Sequence, residues 1–217
     1  MNEAGLLLAS VFSAGTVLAL AGLGLLINEK AGVINLGAEG MMLCAALAGY
    51  AACVHTGSEW LGFAAGMGAG AVLAGVLGWL VIWLNTNQSA TGLALSLLGA
   101  GLSAFVGVPY TQQALPARSH FAIPVLSELP LVGKMLFMQH PMVYVSVASA
   151  LFLVWFFYRS RAGLVLRSVG ESPVSAHALG YPVRRIRLAA VVAGGALCGV
   201  AGAYLSLVYT PQWVEGM

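Results

Sequence analysis

Residues 159–187 read RSRAGLVLRSVGESPVSAHALGYPVRRIR, the one polar segment of any length in an otherwise apolar chain. Six of the nine Lys and Arg residues lie in it: Arg159, Arg161, Arg167, Arg184, Arg185 and Arg187. Loops that stay in the cytoplasm beside membrane spans retain positive charge, so 159–187 is expected to be a cytoplasmic loop. Its middle predicts a short, bounded helix. Ser172 suits the N-cap, and Pro173 suits the first helical position, where a missing N–H costs nothing. Val174 to Leu179 fill about two turns, and Gly180 offers a left-handed stop before Pro182. A capped helix flanked by Arg and projecting from a membrane domain fits docking of a soluble partner. An amphipathic loop held by lipid headgroups fits the same spacing.

The composition of the 217 residues excludes a soluble fold. Hydrophobic residues make up 60% and charged residues 7%, against roughly 25% charged in soluble domains. Aspartate is absent, and the seven glutamates lie far apart. The expectation is one all-α, polytopic membrane domain over 1–217. Cys44, Cys53 and Cys198 sit in apolar runs without ligand-like spacing and read as packing residues. MNEAGLLL lacks a basic leader region, so the first apolar run is read as a retained span.

Taken in order, the apolar runs predict about six spans, near 6–27, 31–54, 60–84, 89–108, 142–158 and 188–209. The break between the third and fourth falls at Asn85-Thr86-Asn87-Gln88, inside a long run without a charged residue. Residues 109–141 carry Pro109, Pro116, Pro124, Pro130 and Pro141, which oppose regular helix. Counting back from the basic loop puts 109–141 outside and Glu29–Lys30 inside. The N-terminus then falls outside, unless Asn28–Gly40 is a broken or re-entrant piece, which reverses it.

Twenty-eight glycines exceed the average share of about 7%. Gly62, Gly66, Gly70, Ala74 and Gly78 form one stripe at four-residue spacing. Ala190, Gly194, Cys198, Gly202 and Ser206 form another. Small residues at this spacing let helix backbones approach closely in lipid. They predict packing seams rather than chemistry.

A second polar constellation is 29-EKAGVINLGAEGMM-42. Asn35 and Glu39 are four apart, so on a continuous helix they share a face. A carboxylate within a span faces a bundle interior, a partner or a water-filled path. Gly32, Gly37 and Gly40 ease a helix break, which is tolerated at membrane depth where it lines protein or a cavity. The segment reads either as lining a pathway or as holding the fold through mutual hydrogen bonds.

The sequence has no GxxxxGK[ST], HExxH or GxSxG motif, so neither nucleotide binding through a Walker loop nor hydrolysis is expected. His55, His120, His140 and His177 are scattered and read as surface residues.

The run 24-GLLINEKAGVINLGAEGMML-43 resembles the signature of permease subunits of ABC importers for nucleosides and simple sugars. The run from Arg159 to Ser206 is similar to the coupling-loop signature of the same group. Together they cover about a third of the chain, in the right order. The stretches NQSATGLALSLLGAGLSAFVG and IPVLSELPLVG resemble its nucleoside-type members. Branched-chain amino acid permeases are more distant relatives.

The resemblance implies a multi-pass permease of a bacterial inner membrane. It works with a second permease, ATP-binding subunits and an external substrate-binding protein, within the bilayer and with no nucleic acid partner. The chain is then no enzyme and holds no cofactor, since ATP is bound by the partner. Asn35, Gly37, Glu39 and Gly40 border the translocation path. Arg167, Gly170, Glu171, Ser172, Pro173, Ala176 and Gly180 couple to the ATPase. Family members run longer, so a truncated chain is expected. Two rivals remain at this point: an ion-gradient-driven transporter or channel with Glu39 as its proton or cation site, and a structural subunit without a path.

Overall fold

The structure, a computed structural model, describes residues 3–111 and 139–213, with side chains from Ser10 onward. In chain order the helices are α1 (Glu3–Lys30), α2 (Ala38–Thr56), α3 (Glu59–Trp83), α4 (Gln88–Gly107), α5 (Pro141–Arg159), α6 (Arg161–Glu171), α7 (Pro173–Ala178) and α8 (Val183–Tyr204). Among the described residues, all but α6 and α7 are long and apolar enough to cross a membrane, giving the expected six. The spans expected at 6–27, 60–84, 89–108 and 142–158 fall on α1, α3, α4 and α5.

Two expected spans need correction. The run 31–54 does not start helical: α1 continues to Lys30, and α2 begins only at Ala38. Gly32 takes φ +75°. Its N–H donates to the Glu29 carbonyl at 2.9 Å, and Val33 N–H donates to the Asn28 carbonyl at 3.0 Å. This pair is the left-handed helix stop that glycine permits. The last span begins at Val183, ahead of the expected 188, so Arg184, Arg185 and Arg187 ride on its first turns. At its far end a π-helical turn, Leu205–Tyr209, extends it. Of the expected loop 109–141, the 3₁₀ turn Val108–Tyr110, Thr111 and the residues at Gln139 and beyond are described. His120 and the 123–133 run lie outside the described residues.

Helix α8 forms the centre of the bundle and is packed on three sides. The α3 stripe Gly62, Gly66, Gly70, Ala74 and Gly78 is buried throughout, as is the α8 stripe from Ala190 to Ser206. The two stripes seat different neighbours. Gly66, Gly70 and Ala74 of the α3 row pack on Gly195, Gly199 and Ala203, and a Cβ on Gly70 would lie 2.7 Å from the Gly199 Cα. The α8 row instead serves α1 and α2. Gly194 and Cys198 lie against Gly24, Gly202 lies against Met42, and Ser206 donates to the Ala46 carbonyl at 2.8 Å. Helix α8 therefore carries two adjacent rows of small residues, each seating a different neighbour. Close backbone approach supplies the van der Waals attraction that lipid does not oppose.

The long helices share two ends. At one, the end of α1, the α3–α4 turn and α6 gather beside the arginines; this is called the basic end below. At the other, His55 Nε2 lies 3.0 Å from Tyr110 Oη, and Trp213 is buried in the cluster of Ala46, Leu47 and Tyr50. The surface expectation for His140 is also corrected. His140 Nδ1 accepts from Met142 N–H, and Nε2 lies 2.6 Å from Glu59 Oε1, joining α5 to α3 with both side chains mostly buried. All three cysteines are buried and unbridged, as their apolar settings predict.

Candidate functional site at the basic end

The bounded helix predicted within 159–187 is present as α7, with its expected ends. Ser172 Oγ accepts from the Ser175 N–H and donates to Ser175 Oγ at 2.8 Å. Pro173 occupies the first helical position. Gly180 takes φ +87°, its N–H donating to the His177 carbonyl while Tyr181 N–H reaches the Ala176 carbonyl. Ala176 is buried beneath the helix, whereas Val174 and Leu179 are 80% and 77% exposed.

The rest of 159–187 is not a loop. Ser160 ends α5 and caps α6, its Oγ accepting from Gly163 N–H at 2.9 Å. Gly163, Leu166 and Val169 are buried, three apart, while Arg161, Leu164 and Ser168 face outward. Arg167 stacks its guanidinium 5.1 Å from the Tyr158 ring centroid, a cation–π contact that fixes α6 on the end of α5. Glu171 is exposed at the α6–α7 joint. Gly170 is placed by a tertiary demand: a Cβ there would run into the Lys30 carbonyl and lie 3.1 Å from Gly32 N. Arg187 closes the same corner, with Nη2 3.5 Å from the Val169 carbonyl.

The proposed pathway segment is arranged differently from its helical reading. Asn35 and Glu39 do not share a helical face, because Asn35 precedes α2 in irregular backbone. Asn35 is buried, its Oδ1 accepting from Gly37 N–H at 2.9 Å and its Nδ2 facing Met41 Sδ at 3.6 Å. It thus acts as a turn former that starts α2. Glu39 is exposed in the first turn of α2, where a negative charge complements the helix N-terminus. Gly37 and Gly40 are contact glycines rather than hinges. A Cβ on Gly40 would lie 2.6 Å from the Ser96 Cα, and one on Gly37 would lie 3.2 Å from the Gly92 carbonyl oxygen. The structure thus seats Gly37 and Gly40 against α4, ties Asn35 to Gly37 and Met41, and leaves Glu39 exposed.

Helix α4 also satisfies the broken backbone. Ile34 N–H donates to Gln88 Oε1 at 2.8 Å, and Ser96 Oγ donates to the Leu36 carbonyl at 2.9 Å. Interruptions within a membrane protein require such partners. Two cavities flank the segment. One of about 330 Å³ is lined by Asn85, Thr86, Gln88, Arg184 and Arg187. One of about 580 Å³ is lined by Glu29, Gly32, Ile34 and Asn87. Asn28, fully buried beside Gly194, has no hydrogen-bond partner for its side-chain amide among the described residues. The sequence shows no sign of that burial, since Asn28 reads there as part of a polar break.

Six apolar helices seated on small-residue seams, with a capped helix offered at the arginine-rich end, define a multi-pass helical membrane protein. The chain belongs to the family described as the permease component of branched-chain amino acid transport systems, whose model matches residues 7–217. It is 46% identical to a putative glucose ABC transporter permease of Haloferax volcanii, over 99% of this chain and 66% of that protein. It is 28% identical to a guanosine ABC transporter permease of Bacillus subtilis, over 92% of this chain and 67% of the relative. It is also 28% identical to a nucleoside ABC transporter permease of Lactococcus lactis, over 94% and 68%. The chain spans about two thirds of the length of these relatives. No solved structure matches it. Permease components are not themselves enzymes, and this one is a multi-pass protein of the cell membrane.

Proposed function

We propose that the chain is the permease subunit of an ATP-binding cassette importer that carries a nucleoside or a simple sugar inward. ATP hydrolysis takes place in a separate subunit, to which α7 docks. One observation carries this reading: α7 presents Val174 and Leu179 outward from a helix closed at both ends by Ser172 and Gly180. The arginines beside it favour a cytoplasmic basic end. The relatives' printed substrates, glucose, guanosine and nucleosides, support a small polar cargo.

In mechanism, a load on α7 reaches α6 through the Glu171–Ser172 joint. It then reaches the end of α1 through the contact of Gly170 with Lys30 and Gly32. Gly32 opens the broken segment, after which Gly37 and Gly40 lie on α4. A rigid-body push at α7 thus shifts α1 and α2 against α4, the kind of movement that switches a bundle between outward- and inward-open states. A second permease, an external binding protein and the ATPase complete the assembly. An ion-driven carrier using Glu39 has no need of α7. The test is reconstitution: uptake into proteoliposomes should require ATP and the ATP-binding subunit, with which the permease should co-purify. Uptake with neither would overturn the proposal.

A further inference from the structure

A third cavity, of about 640 Å³, lies on another side of the basic end, between α1, α5, α6 and α8. Its walls are apolar, among them Ile27, Phe156, Val165, Ala189 and Ala193. Arg161 and Tyr181 supply its polar side chains. Ala193 is ten residues into α8, about 15 Å from Val183 by helical rise. Measured from Leu188, past the charged first turns, the groove reaches about 8 Å into the roughly 30 Å hydrocarbon core, the depth of the upper part of an acyl chain. Arg161 is exposed, and among the described residues it forms no ion pair. Arg184 and Arg185 add positive charge to the same end of the bundle.

We propose that this groove is a binding site for an anionic phospholipid of the cytoplasmic leaflet, with an acyl chain along α8 and the headgroup phosphate on Arg161. A soluble anion has no use for an apolar cleft, and a zwitterionic lipid brings a cation beside its phosphate that Arg161, Arg184 and Arg185 repel. Basic pockets between spans on the cytoplasmic side recognise headgroups in this way. The lipid wedges between α5, α6 and α8 and braces α6, so the membrane's anionic lipid content sets how firmly the α6–α7 unit is held.

The test uses the complete transporter, stripped of lipid in detergent and titrated with phosphatidylglycerol or phosphatidylcholine, bound lipid being read by native mass spectrometry. Phosphatidylglycerol should be retained in preference to phosphatidylcholine. Arg161→Gln should weaken it about fivefold, the effect of one interfacial charge. Arg161→Lys should retain it, which separates lost charge from lost fold. Ala193→Trp, which fills the exposed groove, should remove both lipids. Millimolar inorganic phosphate should displace neither. Equal binding of the two lipids, indifference to Arg161→Gln, or a groove closed by protein and free of lipid would each overturn the proposal. Lipid occupancy is read without ATP or cargo, so it fails or stands separately from the transport reading.

Discussion

Gly32 and Gly170 meet so closely that a Cβ on Gly32 would lie 2.9 Å from the Gly170 carbonyl oxygen and 3.2 Å from its Cα. They lie far apart in sequence, one ending α1 and the other near the end of α6. Their contact joins the two polar constellations of the chain into one mechanical unit. Arg187 packs at the same point, since a Cβ on Gly32 would lie 2.8 Å from its Nη2.

Gly170→Val should therefore separate α6 from α1. The added atoms collide with the Lys30 carbonyl, which is backbone and cannot rotate away. Overpacking of this kind costs about 1–3 kcal/mol. Membrane insertion should persist because no span is altered. ATP-driven uptake in proteoliposomes should fall, and the basal ATPase rate should lose its response to substrate.

Gly70→Leu tests the seam instead. Its Cβ would fall on the Gly195 carbonyl and beside Gly199, so α3 must move off α8. Detergent-extracted protein should melt lower and aggregate on size exclusion. Gly68→Leu is the control: a Cβ there meets nothing within 4 Å, and stability should be unchanged.

Glu39→Gln retains size and hydrogen bonding while removing charge from the first turn of α2. Loss of the charge–dipole interaction costs about 0.3–1 kcal/mol. Uptake is expected to drop with surface levels unchanged if the exposed carboxylate borders the path. Transport equal to wild type would leave Glu39 a helix-start residue only.

Orientation can be read by labelling. A single cysteine at Ser175, on α7, should react with impermeant maleimide only from the cytoplasmic side. One at Ser58, in the α2–α3 turn, should react only from outside. The three native cysteines are buried and should stay silent.

What the sequence made legible was local chemistry. Ser172, Pro173 and Gly180 were readable as helix ends because capping depends on neighbours in the chain. The α3 and α8 stripes were readable because their period is helical. Helix α6 was not, because its buried face, Gly163, Leu166 and Val169, is interrupted by Arg161 and Arg167 and exists only against the ends of α1 and α5. The second row on α8, Gly195, Gly199 and Ala203, was hidden beside the first. Asn35 and Glu39 looked like one face because their spacing is helical. The restart of α2 at Ala38 depends on Gln88 and Ser96 of α4, which accept and donate to the broken backbone.

The most direct measurement concerns the ends of α7, since the account makes that helix the point where the ATPase acts. Ser172→Ala removes the N-cap and should cost about 1 kcal/mol. Gly180→Val forces a β-branched residue into φ +87°, at comparable or greater cost. Helices of this length are marginal without their caps. The double variant should reach the membrane at wild-type levels yet lose both co-purification of the ATP-binding subunit and ATP-driven uptake. Retention of both would contradict the account and leave 159–187 an anchor for lipid headgroups.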